Sequence, residues 1–102
     1  MTQIDIRPQH LDILRHVLKS TQPHHVRIYV FGSRANGKAR RASDLDLAID
    51  AGRPLTLEER AAMAEAFSES DLPYKVDVVD MHNIDEAFLA VVEREKAPLL
   101  LI

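Results

Sequence analysis

The chain has 102 residues, with 13 Lys+Arg, 16 Asp+Glu, a formal charge of -3 and 46% hydrophobic residues, and it contains neither cysteine nor tryptophan. A chain of this length holds one core, so residues 1–102 are expected to form a single domain, and an enzyme with separate catalytic and substrate domains is excluded. The composition excludes a disordered or fibrous protein, and zero cysteines exclude a disulfide framework, a thiolate metal site and a cysteine nucleophile.

No charged segment followed by an apolar stretch opens the chain, and its longest apolar run, Leu99 to Ile102, is far short of a membrane span. A cytoplasmic protein without membrane contact is expected. Leu11, Leu14, Val17 and Leu18 recur at helical spacing after Pro8, predicting a helix over about 8–20 that Gln22-Pro23 ends. Residues 26–31, β-branched and aromatic between Pro23 and Gly32, predict a strand. Residues 32–43 are small and basic without a period and predict a loop, with room for a short helix after Ser33.

A clean period of two follows. Leu45, Leu47 and Ile49 alternate with Asp44, Asp46, Ala48 and Asp50, which predicts a half-buried strand with the acids on its open side. Thr56 with Glu59 forms a capping-box pattern ahead of a helix over about 57–69, with Leu57, Ala61, Ala64 and Phe67 as its apolar positions. Residues 74–79 predict a third strand. Asn83 followed by Glu86 predicts the start of a last helix that buries Ile84, Ala87, Phe88, Val91 and Val92. The apolar tail from Ala97 to Ile102 reads either as a short final strand or as a partner-facing edge. The expected fold class is α/β (α+β), a small mixed sheet of three to four strands with helices packed on one face and the other face free.

Charge is uneven along this pattern. Residues 31–43 carry Arg34, Lys38, Arg40 and Arg41 without an acid, leaving the other 89 residues at -7. So local a basic loop suits a small, concentrated anion better than duplex nucleic acid, which needs a broad positive face. Asp44 and Asp46, two apart on a strand, project from one face with Cα atoms roughly 6.6 Å apart. Asp77, between Val76 and Val78, joins them if those valines face the helices. Three converging carboxylates repel one another, and hard cations resolve the conflict. Two Mg2+ ions beside an anion-binding loop point to phosphoryl or nucleotidyl transfer. Taken singly, each feature has an ordinary reading: an amphipathic strand, a glycine turn, a solvated basic loop. Asp50 and Asp80 read as strand-end or turn residues, Met63 and Met81 as core or strand-end filler, and the five histidines as surface or loop residues.

Phe31-Gly32-Ser33, ten residues, then Asp44-Leu45-Asp46, with Asp77 on a later strand, resembles the signature of the DNA polymerase β-like nucleotidyltransferase superfamily and, within it, the minimal nucleotidyltransferases. The resemblance runs from about Val26 to the C-terminus. It implies that Gly32 and Ser33, with Arg34 and Lys38, bind the phosphates of ATP, and that Asp44, Asp46 and Asp77 hold two Mg2+ ions and form the catalytic set. Asp77 would also assist deprotonation of the acceptor hydroxyl; because aspartate as a residue type is a feeble base at neutral pH, the metal would supply most of that activation. Where many relatives carry arginine this chain has Asn36, so Arg34 or Lys38 would stand in for that cation. The resemblance further implies a HEPN-type toxin encoded nearby as partner, AMP transfer to one of its tyrosines, and an antitoxin role. Alternatives are an antitoxin that masks its partner without catalysis and a nucleotidyltransferase for another acceptor; homo- and hetero-oligomers both stay open.

Overall fold

The computed structural model describes residues 4–21, 26–40 and 43–99. Expectations for Gln22-Pro23, His24, His25, Arg41 and Leu100 to Ile102 lie outside the described residues. The elements run α1 (Pro8–Thr21), β1 (Arg27–Phe31), α2 (Ser33–Asn36), β2 (Leu45–Asp50), α3 (Leu57–Glu69), β3 (Val76–Asp80), α4 (Glu86–Glu95) and β4 (Ala97–Pro98). They form a four-stranded mixed sheet in the order β3-β2-β1-β4. β1 lies antiparallel to both β2 and β4, whereas β2 and β3 are parallel because α3 makes the crossover between them. Ala97 and Pro98 therefore enter the sheet as a short final strand, and Leu99 N–H donates to Ile28 O just beyond it.

The period of two in β2 sets the two faces. Leu45, Leu47 and Ile49 are fully buried with Ile28 and Val30 of β1 beneath α1 and α3, where Leu14, Leu18 and Met63 close the core. Each such leucine stabilises the fold by roughly 1.5–3 kcal/mol through burial. The helix α1 presents Leu14, Val17 and Leu18 as its period predicts. Helix α3 begins with the predicted capping box, the Thr56 side chain accepting from Glu59 N–H and the Glu59 carboxylate accepting from Thr56 N–H. Its buried stripe is Met63 and Phe67; Leu57, Ala61 and Ala64 are exposed. The larger side chains decide the rotation of this helix, since alanines offer little area to bury.

The opposite face is not free. Phe31, Ala48, Met81 and Val92 form a second buried cluster, so α4 lies over one end of the face that carries Asp46 and Asp77. Ala48 is fully buried there, small enough to let Val92 approach. The cap of α4 is Asp85, whose carboxylate accepts from Phe88 N–H at 2.8 Å, not Asn83. With the helix starting at Glu86, Val92 is its buried residue while Ala87 and Phe88 stay exposed, because the cluster is only one stripe wide.

Candidate active site

The β-register brings two of the predicted acids together. Asp46 is the direct partner of Asp77 across the parallel β2–β3 pair and of Phe31 across the antiparallel β1–β2 pair. Val76 and Val78 pack against the main core, so Asp77 takes the other face, as the alternation requires. Asp44 lies just before β2 and is exposed. Burial, then the charges of Asp77, Asp44 and Glu95, push the Asp46 carboxyl above its ordinary range. Lys75 lies 3.4 Å from Asp77 and partly offsets the charge there.

The turn leaving β1 stands directly against this group. Gly32 has φ 72° and ψ -153°, a region open essentially to glycine alone. A Cβ at Gly32 would overlap Oδ2 of Asp46, so the residue must be glycine for two independent reasons. Ser33 follows as the first residue of α2, and Gly37, at φ 80°, closes that turn by donating to Ser33 O. Lys38 is exposed at the end of the turn, its N–H donating to Ser33 O and to the Asn36 side chain. Asn36 thus shapes the turn through its own amide oxygen.

Arg34 stands apart from the other predicted residues. It is 5% exposed, its Nε and Nη2 donate to Ser43 O at 3.2 and 2.8 Å, and its Nη1 donates to Asp5 O at 2.9 Å. Its guanidinium also lies 4.0 Å from the Tyr74 ring centre. The side chain is directed into the protein, leaving Lys38 as the exposed cation of the described part of the turn that follows Ser33 together with Arg40.

One residue of the site escaped the sequence. Glu95, in the last turn of α4, accepts from Gly32 N–H at 3.2 Å and adds its charge to the Asp46 environment. An acid in a last helical turn opposes the helix dipole, which is a weak signal of an outside partner. Neighbouring Glu93 answers that signal differently, with Lys96 at 2.9 Å.

The two strand-end acids, Asp80 and Asp50, are structural. Asp80, at the end of β3, is 7% exposed and accepts from Leu55 N–H and His82 N–H, at 2.8 and 2.9 Å. Asp50 accepts from Gly52 N–H and pairs with the exposed His82 at 2.6 Å, and its carboxyl is held below the ordinary range by His82 first and Gly52 second. His10 packs edge-on to Tyr74, and His16 is exposed. Met63 and Met81 are both buried.

Among the described residues no three His, Asp or Glu side chains are gathered as a preformed metal cage. The donor set nevertheless suits a hard divalent cation: carboxylate oxygens only, with the Asp46 carboxylate penalised by burial and then by its acidic neighbours, whose charge a cation would offset. Such an arrangement, beside a turn offering backbone N–H groups, can hold a phosphorylated ligand and a metal together. No helix among the described residues is long and apolar enough to cross a membrane.

A family model described as polymerase beta, nucleotidyltransferase matches residues 13–100. A Haemophilus influenzae protein described as probable protein adenylyltransferase MntA is 41% identical over 92 residues, spanning 90% of this chain and 80% of that protein. A crystal structure of a toxin–antitoxin with AMP-PNP is similar with a TM-score of 0.73 and 27% identity, over 88% of this chain and 72% of that one. The toxin–antitoxin MntA-HepT structure has a TM-score of 0.68 at 22% identity, over 92% of this chain and 72% of that one, a likeness of fold alone.

Proposed function

The chain belongs to the polymerase beta nucleotidyltransferase family, with a minimal nucleotidyltransferase fold related to MntA-type antitoxins, and from that premise we propose that it transfers AMP from ATP to a protein hydroxyl. The acceptor on this reading is a tyrosine of a cognate HEPN-type toxin, and the transfer is the antitoxin activity. The observation that carries the proposal is the packing of the Gly32 turn on Asp46, with Asp77 beside it in register. The Haemophilus relative described as a protein adenylyltransferase, and the similar structure with AMP-PNP, support the choice of ATP and of a protein acceptor.

In this reading Gly32, Ser33 and Lys38 hold the triphosphate: backbone N–H groups, a hydroxyl and one exposed ammonium. Glu95 gives up the Gly32 N–H when a phosphate oxygen takes its place. Asp44, Asp46 and Asp77 would hold two Mg2+ ions, which when bound offset the phosphate charge and acidify the acceptor hydroxyl. Asp77, at the edge strand, stands where an incoming hydroxyl can hydrogen-bond to it and align. The acceptor oxygen bonds to the α-phosphorus, the bond to pyrophosphate breaks, and the hydroxyl proton leaves toward carboxylate and solvent. In this account the acceptor is carried by the partner, which brings its own tyrosine to Asp77.

The test is transfer of labelled AMP to the purified cognate toxin in Mg-ATP. Wild type labels the toxin, and Asp44→Asn with Asp46→Asn does not; full labelling by the double variant would overturn the proposal.

A further inference from the structure

Ten residues separate Ser33 from Asp44, and the described part of that span holds only a four-residue helix and a turn. Its apolar side chains are alanines, of which Ala35 is buried, so side-chain packing alone gives the span little to fix its length in space. Arg34 supplies what packing does not. It follows Ser33 directly, and it places two donors on the carbonyl of Ser43, the residue before Asp44. The third bond, to Asp5 O, is answered by Asp5 N–H donating to Arg34 O at 2.8 Å, which ties the segment before α1 to the same point. The guanidinium face covers Tyr74, three residues ahead of Asp77. One buried side chain thus touches the entry to each strand that carries a candidate carboxylate.

We propose that Arg34 is a positioning residue: by clamping Ser43 O it fixes the distance between the Gly32-Ser33 turn and the Asp44–Asp46 strand, and so couples nucleotide binding to metal binding. This rests on the reading of the site given above. A planar fork with several donors can bridge one carbonyl twice, reach a second carbonyl and stack on a ring at once; an ammonium cannot. A ligand that touches both halves feels their spacing, whereas a ligand that touches one half does not.

The experiment compares wild type, Arg34→Lys and Arg34→Met by calorimetry, at a temperature at which circular dichroism shows each to be folded. Three titrations are run: Mn2+ alone, ATP without metal, and ATP in saturating Mg2+. In wild type the metal strengthens ATP binding, and that strengthening falls about tenfold in Arg34→Lys, the scale expected when two binding groups lose their mutual alignment. Binding of Mn2+ alone changes less than about twofold, since Asp44 and Asp46 remain. Arg34→Met loses more of the coupling, and if it does not fold, Arg34→Lys decides. Unchanged coupling in a folded variant overturns the inference, and so does an equal loss in all three titrations, which marks general structural support. Failure of wild type to bind Mg-ATP at all overturns the reading of the site itself, and this inference with it.

Discussion

Oδ2 of Asp46 occupies the space in which any side chain on Gly32 would have to stand. The glycine of the turn and the aspartate of β2 are therefore one steric unit, although they lie fourteen positions apart in the chain. Substituting Gly32→Ala should cost about 1–3 kcal/mol of stability from backbone strain alone. It should also displace the Asp46 carboxylate and abolish AMP transfer. Denaturant unfolding beside the labelling assay checks both, and an alanine variant with full activity would break the link.

The charge around Asp46 sets a second expectation. Its folded carboxyl titrates above the unfolded one, so between those values the folded state binds more protons, and stability falls as pH rises through that window. The penalty is absent below the unfolded value, near 3.8, and fully present above the folded one. Asp46→Asn removes it, so the variant should gain on wild type as pH rises from about 3 to 7. Mg2+ should raise the melting temperature of wild type more than that of Asp46→Asn. Thermal melts at several pH values, with and without Mg2+, read both effects.

Glu95 holds the Gly32 N–H that the account assigns to phosphate. Glu95→Gln removes a like charge from Asp46 and weakens the competing hydrogen bond. Mg-ATP affinity should rise by about two- to fivefold, the scale of a partly exposed charge interaction. A loss of affinity on titration would instead make Glu95 part of the ligand set.

Two further substitutions separate the scaffold from the site. Asp80→Ala leaves the N–H groups of Leu55 and His82 without their acceptor and should cost about 1–3 kcal/mol, with Mg-ATP affinity unchanged in the folded protein. Thr56→Ala removes the α3 cap and should cost about 1 kcal/mol. Glu59 is drawn from 4.5 to about 2, chiefly by Arg53 and then by Thr56 N–H, so its contribution holds above pH 4.5 and is lost as pH falls toward 2. Urea titrations of the variants, and of wild type across that acid range, test these values.

The alternation of β2 and β3 was enough to put Asp46 and Asp77 on one face, because a period of two leaves only one face for each residue, whereas the register that makes them direct partners is set by the parallel pairing of two distant segments. The capping box at Thr56 and Glu59 was equally legible, being local. Arg34 was not. A basic residue in a basic loop looks solvated, and only the return of residue 43 beside it reveals a buried clamp. The cover over Ala48 was hidden for a similar reason: α4 reaches it from more than forty positions away through Val92. Helix α3 misled because its alanines share the helical period with Leu57, while Met63 and Phe67 carry the volume.

The central claim is that this chain modifies a partner protein with AMP. Intact mass measurement of the cognate HEPN-type toxin, after incubation with the chain and Mg-ATP, tests it most directly. The account predicts a gain of one or more AMP units on the toxin, lost with Asp44→Asn and Asp46→Asn. An unmodified toxin that the chain nonetheless neutralises, equally well with the double variant, would contradict it and leave an antitoxin that acts by masking.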